Sequence, residues 1–304
     1  RASALGKKFG LNVYDADGEL IESEAVRHKG LTQNNYGALY NVSYHDDAWD
    51  VIGGLSAQMF RCNHWGYLTY IANEEVERQY LTDGGKYKYY DSDADKNDYS
   101  WFVKAAYNFG SGWNAFADMQ MRIVDYTTDG VNDKFIKGKK DGRQFYTQQQ
   151  LNIDETYVFY NPKAGISYTR GGHKAYASVA YANREPERNN FTDNSSAALP
   201  KAEHLFDTEL GYQYRTANWY ASANLYYMRY INQFVMTGAK SDIGEAITSN
   251  IKNSYRLGAE LSAGWSLLQW LSLEGNAALS QNKLKNFTEE VEAWDTEAVH
   301  NTYA

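Results

Sequence analysis

The stretch WNAFADMQMRIV, residues 113–124, decides the fold class. Apolar and polar side chains alternate along it with a period of two, as in a β-strand whose faces meet different surroundings. One face carries Trp113, Ala115, Ala117, Met119, Met121 and Ile123. The other carries Asn114, Phe116, Asp118, Gln120, Arg122 and Val124. The first face suits lipid and the second suits a wet lumen, which is typical of a transmembrane barrel strand.

The same alternation recurs along the chain. In residues 254–265, Leu257 and Leu261 oppose Arg256 and Glu260, and residues 270–279 repeat the pattern. Each segment has about the 9–11 residues that a tilted membrane-spanning strand needs, with some overhang. The predicted strands are 35–45, 48–61, 99–109, 114–126, 157–169, 174–184, 205–215, 219–231, 254–265 and 270–282.

The connections between these segments alternate between short and long, which is the arrangement of outer-membrane barrels. The short ones are 45–47, 110–113, 170–173, 216–218 and 266–269. The long ones are 62–98, 127–156, 185–204, 232–253 and the tail from 283. We therefore expect the short turns at one end of the strands and the long loops at the other.

Tryptophan placement agrees with this topology. Five tryptophans lie at or beside short turns, where an indole can meet headgroups with its N–H and lipid with its ring. They are Trp49, Trp113, Trp219, Trp265 and Trp270, which we predict to form a membrane girdle on the periplasmic side. In a soluble β-sandwich, the alternative, these residues would belong to the core at hairpin ends.

The sequence thus predicts an all-β protein, an antiparallel up-and-down transmembrane β-barrel segment. Loops this long usually accompany wide barrels of about 16–22 strands. The last residues, 301–304, also look like a polar loop. We therefore expect residues 1–304 to be part of one barrel domain of 22 strands, with strands missing at both ends.

Composition excludes several classes of function. The net charge of -8 argues against nucleic acid as a partner, because binding it needs a basic surface. The mean hydropathy of -0.66 does not exclude a barrel, whose strands are only half apolar. Cys62 is the one cysteine and cannot form an internal disulfide.

Several strings, taken in order, resemble TonB-dependent receptors, especially the outer-membrane receptors of Bacteroidetes. The clearest is ANREPERNN, residues 182–190, which is similar to a strand-ending segment of that family. The others include PKAE (200–203), DTELGY (207–212), NLYYMRY (224–230), NQFV (232–235), SYRLGAEL (254–261) and SQNK (280–283). The resemblance runs from about residue 30 to 290, whereas the family's plug, its TonB-contacting box and its closing strands have no counterpart.

The resemblance implies active import of a scarce, bulky nutrient, such as a metal chelate, haem, cobalamin or glycan. In such receptors a plug domain blocks the lumen, and the TonB complex pulls on the plug. No covalent chemistry and no cofactor are implied. The implied partners are outer-membrane lipid and lipopolysaccharide, the receptor's own plug, the TonB complex through that plug, and the nutrient.

Two groups of residues are candidates for the functional site. Charges at the end of one strand, Arg184, Glu185 and Arg188, lie at the external mouth in this interpretation, near plug or ligand; alternatively they are solvated or contact lipopolysaccharide phosphates. The second group faces the lumen and is expected to contact the plug more than the ligand. It consists of Asp118, Gln120, Arg122, Glu209, Arg256 and Glu260.

Three other functions are weaker interpretations. The six histidines are scattered, so no serine hydrolase site is indicated. Residues 91–95 begin like a calcium loop, but Lys96 and Phe102 stand where such a loop needs Gly and Glu, so no metal site is predicted. A passive porin shares the barrel and lacks the plug, and it remains the alternative function.

Overall fold

The computed structural model describes residues 3–193, 199–240, 246–291 and 299–303. Short elements come first: strand β1 (Ser3–Ala4), helix α1 (Leu5–Phe9) and strand β2 (Glu22–Ser23). β1 and β2 pair with each other in a two-stranded sheet. Two more short helices follow later in the chain, α2 (Glu74–Tyr80) and α3 (Arg188–Thr192).

Ten long strands make up the main sheet, and they cover the ten predicted strands except for residues 48 and 270, which lie just before β4 and β12. They are β3 (Ala25–His45), β4 (Trp49–Ile71), β5 (Tyr87–Gly110), β6 (Trp113–Lys140), β7 (Arg143–Arg170), β8 (His173–Arg184), β9 (Glu203–Arg215), β10 (Trp219–Lys240), β11 (Ala246–Leu268) and β12 (Leu271–Leu284). A separate hairpin follows, made of β13 (Phe287–Val291) and β14 (Val299–Tyr303).

The ten strands pair in the order in which they occur in the sequence, from β3 to β12. The printed registers of β7 to β12 are antiparallel. No helix in the described ranges exceeds seven residues. The predicted antiparallel meander is therefore confirmed. Within the same part of the chain, no helix is long and apolar enough to cross a membrane.

Backbone hydrogen bonds join each short turn to the strand or turn beside it. The Ala48 carbonyl accepts from the Asn108 amide at 2.8 Å, just before the second short turn. The same kind of bond joins the later turns. The carbonyls of Gly112, Gly172 and Asn218 accept from backbone N–H groups just before the next short turn, those of Thr169, Arg215 and Ser266 respectively. The short turns thus lie along one edge of the sheet, as predicted.

The prediction of long loops is wrong for residues 127–156. β6 and β7 continue through this range and meet at the two-residue turn Asp141-Gly142. Both residues have positive φ, 53° and 82°, as a type I′ hairpin turn requires. Both faces of the hairpin carry charged residues here, so the ladder continues although the apolar–polar alternation disappears.

The other long connections are also shorter than predicted. β4 and β5 extend into 62–98, and α2 begins at the N-cap Asn73, whose side chain accepts from two backbone amides. β10 and β11 occupy most of 232–253, of which residues 241–245 lie outside the described ranges. The tail contains the β13–β14 hairpin, so residues 301–303 are strand and not loop. Only 185–204 has little strand.

Contacts divide the chain into two compact units. The first contains residues 1–38, 57–99 and 123–157, and its buried apolar cluster includes Leu5, Phe9, Leu68, Ile71 and Val76. The second contains residues 39–56, 100–122 and 158–304, with the short turns and every predicted site residue. The candidate site therefore lies within the second unit.

Strand register defines two faces of the sheet in this unit, because directly opposed residues point the same way. Leu225 lies opposite Leu210 and Ala259, while Tyr226 lies opposite Glu209 and Gly258. The first set belongs to what we call the apolar face and the second to the polar face. Six leucines of the apolar face are 46–68% exposed: Leu210, Leu225, Leu257, Leu261, Leu273 and Leu279. So large an exposed apolar surface is rare on soluble monomers.

Neighbouring positions on β11 test which face meets lipid. Leu257→Arg is expected to cost about 2–4 kcal/mol of folding free energy in a bilayer if the residue lies near the midplane, whereas Glu260→Gln costs much less in a wet lumen. Reversible unfolding in lipid vesicles measures both variants.

A soluble core would also penalise Leu257→Arg, so accessibility is the control. Spin labels at Leu257, Leu261 and Leu273 should be relaxed by a lipid-soluble quencher in the intact protein. Labels shielded from that quencher would contradict the membrane assignment.

Candidate functional site

The candidate site is the polar face of β6–β11, together with the segment that follows β8. On this face, aromatic rings lie over glycines of the adjacent strands. A Cβ added to any of these glycines would overlap the ring. The pairs are Phe116 over Gly165, Tyr176 over Gly211, Tyr220 over Gly264 and Tyr226 over Gly258, and Phe102 of β5 lies in the same way over Gly54 of β4. Covering a strand glycine with an aromatic ring also helps to hold the register.

At the β6 side of this face, polar side chains follow Phe116 along the strand. The ammonium groups of Lys104 and Lys163 lie 5.7 and 6.0 Å from the centroid of the Phe116 ring, within cation–π range. Asp118 comes next and is half-buried. Gln120 then accepts a hydrogen bond from the Asn161 amide at 2.9 Å.

Two glutamates lie in the middle of the polar face. Glu209 on β9 is opposite Ser178 and Tyr226, and Glu260 on β11 is opposite Asn224. Between their positions, the Tyr176 hydroxyl donates to the Asn224 side-chain oxygen at 2.9 Å. Glu209 is therefore level with Tyr226 of β10 and Glu260 with Asn224, two residues away on that strand. The tyrosine–asparagine hydrogen bond lies between the two carboxylates.

Arg256 lies four residues before Glu260 on β11, farther from the short turn at 266–269. Its guanidinium is 5.3 Å from the centroid of the Tyr230 ring, which fits a cation–π contact. Tyr230 is buried and Arg256 is exposed. The Arg256 side chain therefore packs against the polar face, and part of its guanidinium stays accessible to a partner.

Arg122 and Glu185, which we predicted as separate contact residues, meet each other. Two nitrogens of the Arg122 guanidinium donate to the two Glu185 carboxylate oxygens, both at 2.8 Å. Glu185 is 6% exposed. Paired N–H donors on a carboxylate form the strongest and most directional side-chain ion pair. Both groups use their main hydrogen-bonding capacity inside the protein.

Arg184, the last residue of β8, has a different partner. It lies opposite Glu203 in the register, with 3.4 Å between a guanidinium nitrogen and a carboxylate oxygen. The same guanidinium is 5.3 Å from the Phe234 ring centroid. Glu203 also accepts from the backbone N–H of Phe234 at 2.8 Å. Arg184 is half-exposed, so it is the more accessible of the two paired arginines.

Residues 185–193 do not point away from the sheet. Glu187 and Asn190 form a capping box at the start of α3, and this fixes the helix locally. The Asn190 amide nitrogen then donates to the Thr248 hydroxyl on β11 at 2.6 Å. Pro186, Phe191 and Thr192 are buried, and Arg188 is half-buried.

The five predicted girdle tryptophans lie next to short turns, and four of them contact or oppose other aromatic or apolar residues on the apolar face. Trp219 is directly opposite Trp265, and the ring of Trp113 is 4.8 Å from that of Tyr168. Trp49 packs on Tyr107 at 4.6 Å. Trp270 differs, because β11 continues to Leu268 and leaves Trp270 in the turn, 80% exposed.

Sequence reasoning missed other aromatic residues in this band. His173 lies against Tyr214, with 4.4 Å between ring centroids, and its Nδ1 is 2.7 Å from the Tyr212 hydroxyl. Both tyrosines fall at the ends of strands beside short turns, a signal that we applied only to tryptophan. Sequence reasoning also missed Asn190 and Thr248, whose pairing across 58 residues leaves no local signal.

Possible metal ligands do not converge in the described ranges. No group of three or more His, Cys, Asp or Glu side chains there is placed to hold a metal ion. Asp91 and Asp93 instead accept hydrogen bonds from the Asn63 amide at 2.8 and 2.9 Å. Cys62 is buried, with its Sγ 3.3 Å from Nε2 of His64.

These features define the class of protein. The sheet is antiparallel and sequential, with an exposed apolar band on one face and polar, charged residues on the other. Such a sheet is typical of a transmembrane β-barrel. A family model described as TonB dependent receptor-like, beta-barrel, matches residues 7–301. The chain belongs to this family of receptors, which places it in the outer membrane of a Gram-negative bacterium.

Solved structures agree with the fold. The chain is similar to a copper transporter, OprC, with a TM-score of 0.63 and 14% identity, over 85% of this chain and 39% of that one. It is also similar to the ferric yersiniabactin uptake receptor FyuA from Yersinia pestis, with a TM-score of 0.56 and 16% identity, over 87% and 38%. A third is the ferric-catecholate import receptor Fiu from E. coli, with a TM-score of 0.55 and 13% identity, over 90% and 40%.

The chain therefore spans about two fifths of the length of these structures. At such low identities the likeness shows the fold. A comparison with curated proteins gave no match.

The contact between Tyr176 and Gly211 makes a testable prediction about the polar wall. Gly211→Val should destabilise the folded protein by about 1–3 kcal/mol, because the added methyl groups displace the Tyr176 ring. Adding Tyr176→Ala should recover part of that loss. Unfolding free energies in lipid vesicles measure both effects.

Gly275→Val on the apolar face of β12 is the control for placing valine in a strand, since nothing lies within 4 Å of a Cβ at that position. Equal destabilisation at Gly211 and Gly275 would show that the ring contact is not the cause.

Proposed function

We propose that this chain is part of the barrel of an active outer-membrane receptor that imports a scarce, bulky nutrient with energy from the TonB complex. The family match over residues 7–301 is the observation that carries the proposal. Since the chain spans about two fifths of the similar structures, we place the plug that links barrel to TonB outside these residues.

The nutrient is proposed from the class that the similar structures suggest. Their names mention copper, ferric yersiniabactin and ferric catecholate. A metal ion or metal chelate is therefore our first candidate, ahead of haem, cobalamin or a glycan. The strings 182–190 and 207–212 favour a receptor of the Bacteroidetes type.

We propose that the polar face is where this barrel meets its plug. A plug that fills a wide lumen needs polar partners on the wall, and Glu209 and Glu260 are two such groups in the middle of the face. Asp118, Gln120 and Arg256 extend the same surface. Arg184 and Arg188, near the end of β8, are proposed to lie at the external mouth, near plug or ligand.

The apolar face has a separate proposed role. Its leucines contact lipid, and the five tryptophans with their neighbouring tyrosines and His173 form the periplasmic girdle. An aromatic side chain with a polar tip is stable at such an interface, because its ring is buried among acyl chains while the tip stays hydrated. Lipopolysaccharide is the proposed partner on the opposite side of the membrane.

Uptake by whole cells tests the proposed function. Cells with the intact receptor should accumulate at least one of three probes, radiolabelled ferric catecholate, ferric yersiniabactin or copper, and lose this uptake when either the receptor or TonB is deleted. Active import is saturable at low probe concentration.

A passive channel gives a different result. Uptake that needs the receptor but not TonB, and that rises in proportion to probe concentration, would establish a porin in place of a receptor.

The role of the two glutamates has its own test. In the intact receptor, Glu209→Gln with Glu260→Gln should loosen the plug, since each charged hydrogen bond contributes about 1.5–3 kcal/mol. Amide hydrogen exchange should then accelerate in the plug and not in the barrel strands. Asp47→Asn, at an exposed short turn, is the control. Unchanged exchange in the plug would mean that these carboxylates do not hold it.

A further inference from the structure

The segment Glu185–Asp193, called the strap here, lies across the polar face. Its first residue binds Arg122 on β6, and Asn190 binds Thr248 on β11. The sheet order from β6 to β11 is sequential, so these anchor strands are separated by β7, β8, β9 and β10. β8 ends at Arg184 and β9 begins at Glu203, so a short segment that touches both anchors passes beyond the ends of these two strands and along the polar side of β7 and β10.

Both anchors lie on the polar face. Arg122 is six residues from Phe116, whose ring covers Gly165, and Gly165 is opposite Ser178. Thr248 is ten residues from Gly258 on β11, and the β10–β11 pairs keep the same offset from Gly258 to Thr248, although Asn232, with a φ of 55°, is left out of the ladder. Even separations keep side chains on the same side of a strand.

The strap is firmly built. The capping box of α3 links Glu187 with Asn190, and Asn190 uses its oxygen for that box and its nitrogen for Thr248. Phe191 and Thr192 are 8% and 2% exposed. These are the properties of a packed element and not of a free external loop.

A further contact ties the far side of the same connection to β11. The Asn250 side chain accepts from the Lys201 N–H at 2.8 Å and donates to the Lys201 carbonyl at 3.0 Å. It also donates to the Asn232 carbonyl at 2.7 Å. The chain is therefore attached to β11 both before and after the residues between 193 and 199.

We propose that Arg122 and Glu185 are positioning residues, which fix the strap across the polar face as a permanent narrowing of the lumen. The lumen itself rests on the proposed function. Glu185 is the residue that turns the chain inward, because it follows β8 directly and its buried carboxylate is satisfied by Arg122. Removing one partner of such a pair leaves a poorly solvated charge behind.

A spin label on the strap measures its position. In the full-length receptor, with Cys62 and any other native cysteine replaced by serine, a label at Asn189→Cys should give an ordered spectrum. Glu185→Gln should lower the docking equilibrium roughly 100-fold and give a mobile component. The exchange of charges, Arg122→Glu with Glu185→Arg, should restore order. Lys88→Gln, which removes the exposed ion pair with Asp91, is the control.

Cross-linking tests whether the narrowing is permanent. Asn190→Cys with Thr248→Cys should form a disulfide in high yield in cells with TonB and in cells without it, because the strap stays docked. A yield that falls about tenfold when TonB is active would show a moving gate and overturn the proposal.

An unchanged spectrum and cross-link in a folded Glu185→Gln variant would equally overturn the role of the ion pair. Folding of each variant is checked by the slower migration of the heated protein on electrophoresis. Because neither readout needs a nutrient, absence of TonB-dependent uptake would refute the proposed function and leave the strap measurements intact.

Discussion

Hydrogen bonding between strands that are neighbours in the sequence is the constraint on which the rest of this structure depends. Inside a bilayer no water satisfies a backbone amide or carbonyl, so each strand must complete its ladder with other strands. Short turns such as Gly110–Gly112 and Gly171–Gly172 reverse the chain, so that the next strand completes the hydrogen-bond ladder of the strand before it. The sequential order from β3 to β12 follows from this requirement.

The ladder in turn divides the side chains into two independent sets. Because successive residues on a strand point to opposite faces, Leu257 and Leu261 can meet lipid while Arg256 and Glu260, one residue away, meet the lumen. Natural selection of the residues on one face is therefore independent of selection of the residues on the other face. This is why the polar wall can carry tyrosines over glycines, an ion pair and two central glutamates without weakening the apolar band.

The same alternation determines how much could be predicted from the sequence. All ten strands were found where one face is apolar, as in residues 113–122 of β6. Beyond residue 127 both faces are polar, so the pattern vanishes although the ladder continues to Lys140. The Asp141-Gly142 turn was a readable local signal that we did not use. The contacts Arg122–Glu185 and Asn190–Thr248 join residues 63 and 58 positions apart, and no periodicity within one strand encodes them.

Predicting the site therefore needs a different kind of information from predicting the fold. Strand positions follow from local alternation, whereas the polar wall follows from register, which decides that Tyr176 covers Gly211 and that Arg184 meets Glu203. Register also explains why the chain after β8 folds over the wall. β6 presents an arginine on the polar face, and a buried carboxylate is costly unless such a group or other hydrogen-bond donors compensate its charge. Once Glu185 satisfies Arg122, the nine residues that begin with it have little freedom to leave the wall, and the capping box of α3 directs Asn190 to β11.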